Sequence, residues 1–387
     1  MKRRLGPILF WQLLAALPIG AASTVPPPDV SGFRDSAHHW RSINQPERIM
    51  QALPEQPAYA PAQVREIADN VLLFQRENGG WPKDYDMQAV LTPAQREQIR
   101  ATRANTDTSY DNHTTHTQTA YLAAAYVATG EPAYRDGCVR GLRFMLASQY
   151  PNGGFPQWWP KGGTIAKRIT LNDGVMVGIL NVLQDAAEGR PAFAWLGAGL
   201  RAECAAAAAK GTACLLRMQI AAGGRKAGWG QQHDETTLET VGARTFEPAC
   251  VSPADTTEAV RFLMRLPQPA PDIVAAIEAA AAWLEKTKLT GIRVERVPAP
   301  PAEFFRHKAD FDVVVVPDPA ARPLWARMVE VGTDRPIFAS RDGVKVYSLA
   351  EVDRERRTGS GWYTTAPQRL LETEWPRWRD GRAARPR

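Results

Sequence analysis

The chain has 387 residues, a formal net charge of +6 and four cysteines, enough length to bury a large core in one domain or two. No segment reaches the roughly 20 consecutive apolar residues that a membrane helix needs. The basic residues are scattered, without aromatic interleaving along a track, which argues against a nucleic-acid binder and leaves acidic glycans as a fitting anionic partner.

Met1-Lys2-Arg3-Arg4, the apolar run from Leu5 to Ala16 and the small residues Gly20-Ala21-Ala22-Ser23 have the three regions of a secretory signal. Residues 1–23 are therefore expected to leave the mature protein, which is expected to be secreted or periplasmic. Residues 24–60 are Pro-rich and read as irregular, with a short helical piece around Pro46 to Ala52. From Ala62 the pattern turns helical, because Val64, Ile67, Ala68, Val71, Leu72 and Phe74 recur at i, i+3, i+4 and i+7. That helix stops at Gln75-Arg76-Glu77-Asn78-Gly79-Gly80-Trp81-Pro82-Lys83, where two glycines end it and Pro82 prevents its resumption.

The same device recurs. A helix over Tyr134 to Ser148 ends in Gln149-Tyr150-Pro151-Asn152-Gly153-Gly154-Phe155-Pro156-Gln157, and one over Leu200 to Met218 leads through Gln219 to Gly228-Trp229-Gly230. Trp81, Phe155 and Trp229 are each 74 residues apart, a period that holds two helices; Thr117 to Ala128 and Gly174 to Gln184 supply the alternate ones. A fourth pair, Pro253 to Met264 and Pro271 to Thr287, lacks the Gly-Trp signature. Helical hairpins repeated in this way, none able to bury its apolar face alone, predict an all-α domain over residues 61–290 with an (α/α) toroid architecture. After Gly291 the character changes. Val313 to Val316, Arg327 to Val331, and the pair Ile337-Phe338 and Val344 to Tyr347 around Arg341-Asp342-Gly343 read as short strands. Residues 291–387 are thus expected to be a C-terminal segment packed on the same domain. Cys204 and Cys214, ten residues apart on one helix, would lie about 15 Å from each other and cannot pair; the cysteines read as small core residues.

Three polar clusters fall beside these turns: Asp111-Asn112, Asn172-Asp173, and Gln231-Gln232-His233-Asp234 running on to Arg244 and Glu247. Loops at equivalent repeat positions emerge on one face of a toroid, so the clusters can converge. Asp111 with Asp173 makes a site for a hard cation such as Ca²⁺, although Asp111 taken singly reads better as a helix cap and Asp173 equally as one. His113 and His116 lack a third ligand at metal spacing. His233 beside Asp234 lacks a serine in a nucleophile elbow.

Taken as an ordered series, Asn78 to Lys83, Tyr110-Asp111-Asn112, Asn152 to Gln157, Ile169 to Asp173, Trp229 to Asp234, Ala243 to Pro248, Arg341-Asp342-Gly343 and Trp362-Tyr363 resemble the motifs of the family 10 polysaccharide lyases, the pectate lyases. The resemblance covers most of residues 62–370. It implies that residues 61–290 form the catalytic domain as an (α/α)3 toroid or barrel, and Ca²⁺-assisted β-elimination on polygalacturonate, with Asp111 and Asp173 facing the metal, Asn112 and Arg341 binding substrate, and Arg244 as the base of an enzyme expected to act as a monomer. Arg168 stands where the family usually has His, Leu171 replaces an aromatic, Thr240 stands where a Pro is common, and the Ser252 to Asp255 run lacks the usual Ser-x-Glu. A two-carboxylate glycoside hydrolase on the same scaffold and a non-catalytic acidic-glycan binder are the alternatives.

Overall fold

A computed structural model describes residues 26–43 and 45–383; the signal region at residues 1–23 lies outside them. Helix α1 (Arg34–Ser42) precedes α2 (Val64–Phe74), α3 (Pro93–Arg100), α4 (His116–Thr129), α5 (Pro132–Ser148), α6 (Val175–Glu188), α7 (Ala198–Met218), α8 (Pro253–Arg265) and α9 (Pro271–Lys286). The hairpins α4–α5, α6–α7 and α8–α9 stack so that α4, α6 and α8 are successive neighbours, while α2 and α7 flank α5. The core runs continuously through these two rows; α6 is buried along most of its length, from Val175 to Ala186.

The repeated turns explain why the rows register. At the end of α2, Gln75 Nε2 donates to Gly79 O and Gly137 O, both at 2.9 Å. Gln149 makes the same pair of bonds to Gly153 O and Ala207 O, and Gln219 to Ala227 O and Ala276 O. Each helix end is thereby stitched both to its own turn and to the next helix in its row, and these buried donors and acceptors satisfy one another. The glycines are required by space as well as by conformation. Gly79 has φ +95°, and a Cβ there would fall 2.5 Å from Arg140 O; Gly153, at φ +98°, meets Lys210 O in the same way.

Trp81 is fully buried and donates its indole N–H to Val71 O at 2.7 Å, and Trp229 does likewise to Leu215 O. The fourth helix pair has this tryptophan after all. Trp325 donates to Leu284 O at 2.7 Å, and a long β-hairpin, Ile292–Glu303 with Lys308–Pro317, is inserted between α9 and that residue. Because Trp81 fills its pocket completely, Trp81→Ala is expected to cost about 3–5 kcal/mol, the range for a buried tryptophan truncated to a cavity; denaturant unfolding reads this directly, and an unchanged midpoint would mean that the turn does not fasten α2.

Several local expectations are corrected. The helical piece near the N-terminus is α1, at Arg34–Ser42, not Pro46 to Ala52; the latter stretch instead folds back so that Arg48 donates to the carbonyls of His39 and Trp40 at the helix end. The strand expected at Arg327 to Val331 starts earlier, Trp325–Ala326 pairing with Tyr363–Thr364, while Val329 bridges Val251 and Pro336. The hairpin around Arg341-Asp342-Gly343 is present, Phe338–Ala339 against Lys345–Val346. The C-terminal segment packs a second small core, Met328, Ile337, Phe338, Leu349, Val352 and Trp362, around Cys250 of the preceding domain. All four cysteines are free and buried. No helix among the described residues is long and apolar enough to cross a membrane.

Candidate active site

The loop from Thr108 to Thr115 is built so that its polar side chains turn inward. Ser109 N donates to Trp81 O and Tyr110 N to Gln157 O, tying the loop to two successive turns. It then tightens into a 3-10 turn, Asp111–His113, with Asn112, His113 and Thr115 at positive φ. Such backbone is costly for residues with a side chain, and it persists here because surrounding bonds determine it. Ser36 Oγ of α1 donates to Asn112 O at 2.9 Å, and Thr115 Oγ1 to Ser109 O at 2.7 Å. The turn Asn172–Gly174 repeats the geometry, with Asp173 at φ +56°. Neither turn caps the following helix. The N-cap positions of α4 and α6 are Thr115 and Gly174, without side-chain cap bonds, so the carboxylates of Asp111 and Asp173 are left free for the cavity.

Asp111, Asn112, Asp173, Arg244 and Arg341 all line one cavity of about 920 Å³. Lys83 Nζ donates to Asp111 Oδ2 at 2.5 Å, and Gln157 Nε2 to Asp111 Oδ1 at 2.7 Å. These two residues were not assigned roles from sequence, yet the signal was there: each lies two positions after the aromatic of a repeated turn. Asn112 Nδ2 donates to Asp84 Oδ1 at 2.5 Å, which turns Asn112 towards the Lys83-Asp84 corner of the cavity. The charges of Asp111 and Asp173 oppose one another in the cavity. Burial pushes both carboxyls up, but Lys83 outweighs it at Asp111 and holds that group below the usual carboxylate range. Asp173, with no such cation and facing Asp111, is raised well above it. Asn172 donates to Asp173 Oδ2 at 2.6 Å while its own Oδ1 is buried without a partner.

The opposite wall is cationic. Arg244 forks onto Glu247 at 2.7 and 2.6 Å, and Arg327 donates to the same carboxylate at 3.0 Å. Partial desolvation at the cavity wall pushes the exposed Arg244 guanidinium down, and the Glu247 fork, helped by Asp173 and Asp111, more than reverses it. Arg341 forks onto Glu355 at 3.1 and 2.9 Å. The buried Phe246 ring lies 4.7, 5.2 and 4.1 Å from the guanidinium carbons of Arg244, Arg341 and Arg356 respectively, a stacking platform that holds three like charges in one place. Arg356 is itself buried, which pushes its guanidinium down; neighbouring Arg341, Arg244 and Arg327 add to this against Glu355.

The third cluster divides. Gln232 reaches the cavity, but His233 is buried, accepts from Gly230 N at 3.0 Å and contacts Leu238 O, with burial lowering its pKa to about 4. Asp234 accepts from the backbone of Thr236 and Thr237. Both are structural, and no His-Asp dyad forms. His116 is buried against His113, which lowers its pKa to about 3, burial being the larger cause. Among the described residues no group of three or more His, Cys, Asp or Glu is arranged to hold a metal ion.

The family model for pectic acid lyase matches residues 75–371. Among solved structures, a family 10 polysaccharide lyase from Cellvibrio cellulosa, an aspartate-to-alanine mutant in complex with trigalacturonic acid, superposes with a TM-score of 0.70 at 28% identity, covering 81% of this chain and 92% of that one. A second structure, of a family 10 polysaccharide lyase from the same organism, gives 0.68 at 27% identity, covering 84% and 98%. Comparison with curated protein sequences gives no match. Fold and sequence together define a polysaccharide lyase. The chain belongs to the pectic acid lyase family.

Proposed function

We propose that the protein cleaves α-1,4-linked polygalacturonate by β-elimination, assisted by Ca²⁺, in a helical array closed as an (α/α)3 toroid. The observation that carries this reading is that two carboxyls whose charges oppose one another, Asp111 and Asp173, line one cavity with a cluster of arginines. Two carboxylates that raise each other's cost of ionisation gain from a shared cation. The oxygen donor set fits a hard cation: Asp111, Asp173 and the unpartnered Asn172 Oδ1. When bound there, Ca²⁺ supplies positive charge that stabilises the charge developing on the substrate carboxylate.

The chain's own residues do the rest. Arg341, whose partner Glu355 is on the cavity wall, is placed to hold a uronate carboxylate by a planar fork. Asn112 orients polar groups of the sugar. Arg244, in its neutral form, takes the proton from C5; the C5–H electron pair becomes the C4–C5 double bond as the C4–O bond breaks, the leaving oxygen takes a proton from water, and the hydroxide so formed recovers the proton from Arg244. Arginine is normally protonated and so has no free electron pair with which to accept this proton. Two of the influences that hold Arg244 protonated are Asp173 and Asp111, and these fall away once their charge is neutralised, while Glu247 is divided between Arg244 and Arg327. Incubation with polygalacturonate at alkaline pH is expected to yield a product with an unsaturated end that absorbs in the ultraviolet, with activity lost on chelation and regained on adding Ca²⁺. Reducing ends without that absorbance would establish a hydrolase, neither would leave a binder, and full activity in chelator would remove the metal.

A further inference from the structure

The inserted hairpin, remote from the site motifs in sequence, returns to the site. Its strands pair from Ile292 with Pro317 to Glu303 with Lys308, with a register shift after Pro298. A strand of this length projects about 35–40 Å. Helix α10 (Arg354–Gly359) fastens it. Arg354 donates to Pro300 O at 2.7 Å and Phe311 O at 3.0 Å, Arg357 forks onto Asp312 at 2.9 and 2.6 Å, and His307 meets Thr358 Oγ1 at 2.9 Å. The same short helix aims Glu355 and Arg356 into the cavity. The tip residues Phe305, Arg306 and His307 consequently line the cavity that holds Asp111, Asp173 and Arg244.

Phe305 is 74% exposed, more than any other large apolar side chain among the described residues. The neighbouring Phe304 instead rests on His307, rings 5.1 Å apart. The Phe305 ring is flanked by two guanidinium carbons, Arg306 at 5.0 Å and Arg341 at 5.6 Å. Among the described residues the ion pair of Arg306 is one of 3.8 Å with the exposed Glu47, a contact weak enough to exchange for another carboxylate. An aromatic face left in water between two cations has the chemistry of a uronate residue: its C–H face packs on the ring and its carboxylate meets a guanidinium.

We propose that the hairpin tip is an additional uronate subsite, Phe305 stacking the sugar and Arg306 pairing its carboxylate, which makes the enzyme sensitive to substrate length. It rests on the polygalacturonate-lyase reading. The test compares the parent, Phe305→Ala and Phe305→Trp on trigalacturonate and hexagalacturonate, following the unsaturated product, with thermal melts to establish folding. Phe305→Ala is expected to raise KM for the hexamer about ten-fold, and for the trimer by less than about three-fold, as befits one lost stacking contact of about 1.4 kcal/mol. The tryptophan variant keeps the platform and is expected to restore the hexamer value. Equal shifts for both lengths, no shift, or a tryptophan variant no better than alanine would each overturn the subsite. Should the parent give no unsaturated product, the lyase reading fails separately, and calorimetric binding of the same two oligomers to the same three proteins decides the subsite on the identical length criterion.

Discussion

Arg244→Lys is expected to fold as the parent does and to lose on the order of 10²–10⁴ in turnover, the range for removal of a positioned base. The fold is safe because Arg244 is an exposed side chain whose partner, the buried Glu247, keeps Arg327; the lost surface fork is worth about 0–1 kcal/mol. Lysine preserves the charge but not the planar fork, the reach or the proton affinity. Turnover of the folded variant is to be measured in saturating Ca²⁺ across the neutral to alkaline range. A purely electrostatic or binding role predicts a parallel pH profile within a few-fold of the parent. In that event attention passes to Arg356, the cavity arginine that burial and its cationic neighbours hold below its ordinary value.

Asp173→Asn separates activity from stability. Asparagine tolerates the left-handed backbone at φ +56°, so the turn survives, while the repulsion from the Asp111 carboxylate is relieved. In chelator the variant is expected to be more stable than the parent by about 0.5–2 kcal/mol, the usual gain when a functional site's unfavourable pairing is removed. The sign follows from the raised pKa of Asp173. A carboxyl whose folded pKa lies above its unfolded value loses stability as pH rises between the two, so at alkaline pH the ionised parent residue is the destabilised form. Activity on polygalacturonate is expected to fall by about 10²-fold or more, as when a group that stabilises developing charge is lost. Thermal melts supply the readout that does not depend on turnover: Ca²⁺ is expected to raise the parent's midpoint by linkage and to leave that of the variant much less changed. A parent midpoint indifferent to millimolar Ca²⁺, or an equal rise in both, would remove Asp173 from the metal site.

The helix pairs and their turns were legible because they are local. A 3.6-residue apolar period and a Gln followed by Gly-Gly-aromatic need no distant partner to be recognised, and the observed bounds of α2, α5 and α7 lie within about two residues of those expected, the ordinary uncertainty of helix ends. Helix α1 escaped because it buries only Ser36 and Trp40 along a sequence dense in charge and histidine. The strand Ile292–Glu303 escaped because Pro298, Pro300 and Pro301 sit within it, residues that ordinarily argue against a strand and are tolerated on an edge.

By itself the sequence determined the repeat, the turns that enforce it and the positions where Asp111, Asp173, Arg244 and Arg341 stand, since each follows from residue type at a fixed place in the motif series. Only the tertiary structure decided which groups meet them. Lys83 and Gln157 reach Asp111 from 28 and 46 residues away, Glu247 is claimed by Arg327 from 80 residues away, His233 is withdrawn into a neutral structural role, and the hairpin tip is carried back over the cavity. The reason is physical: a carboxylate's charge state and partners are set by whatever packing places within a few ångströms of it, and that distance is fixed by the stacking of helical rows rather than by position along the chain.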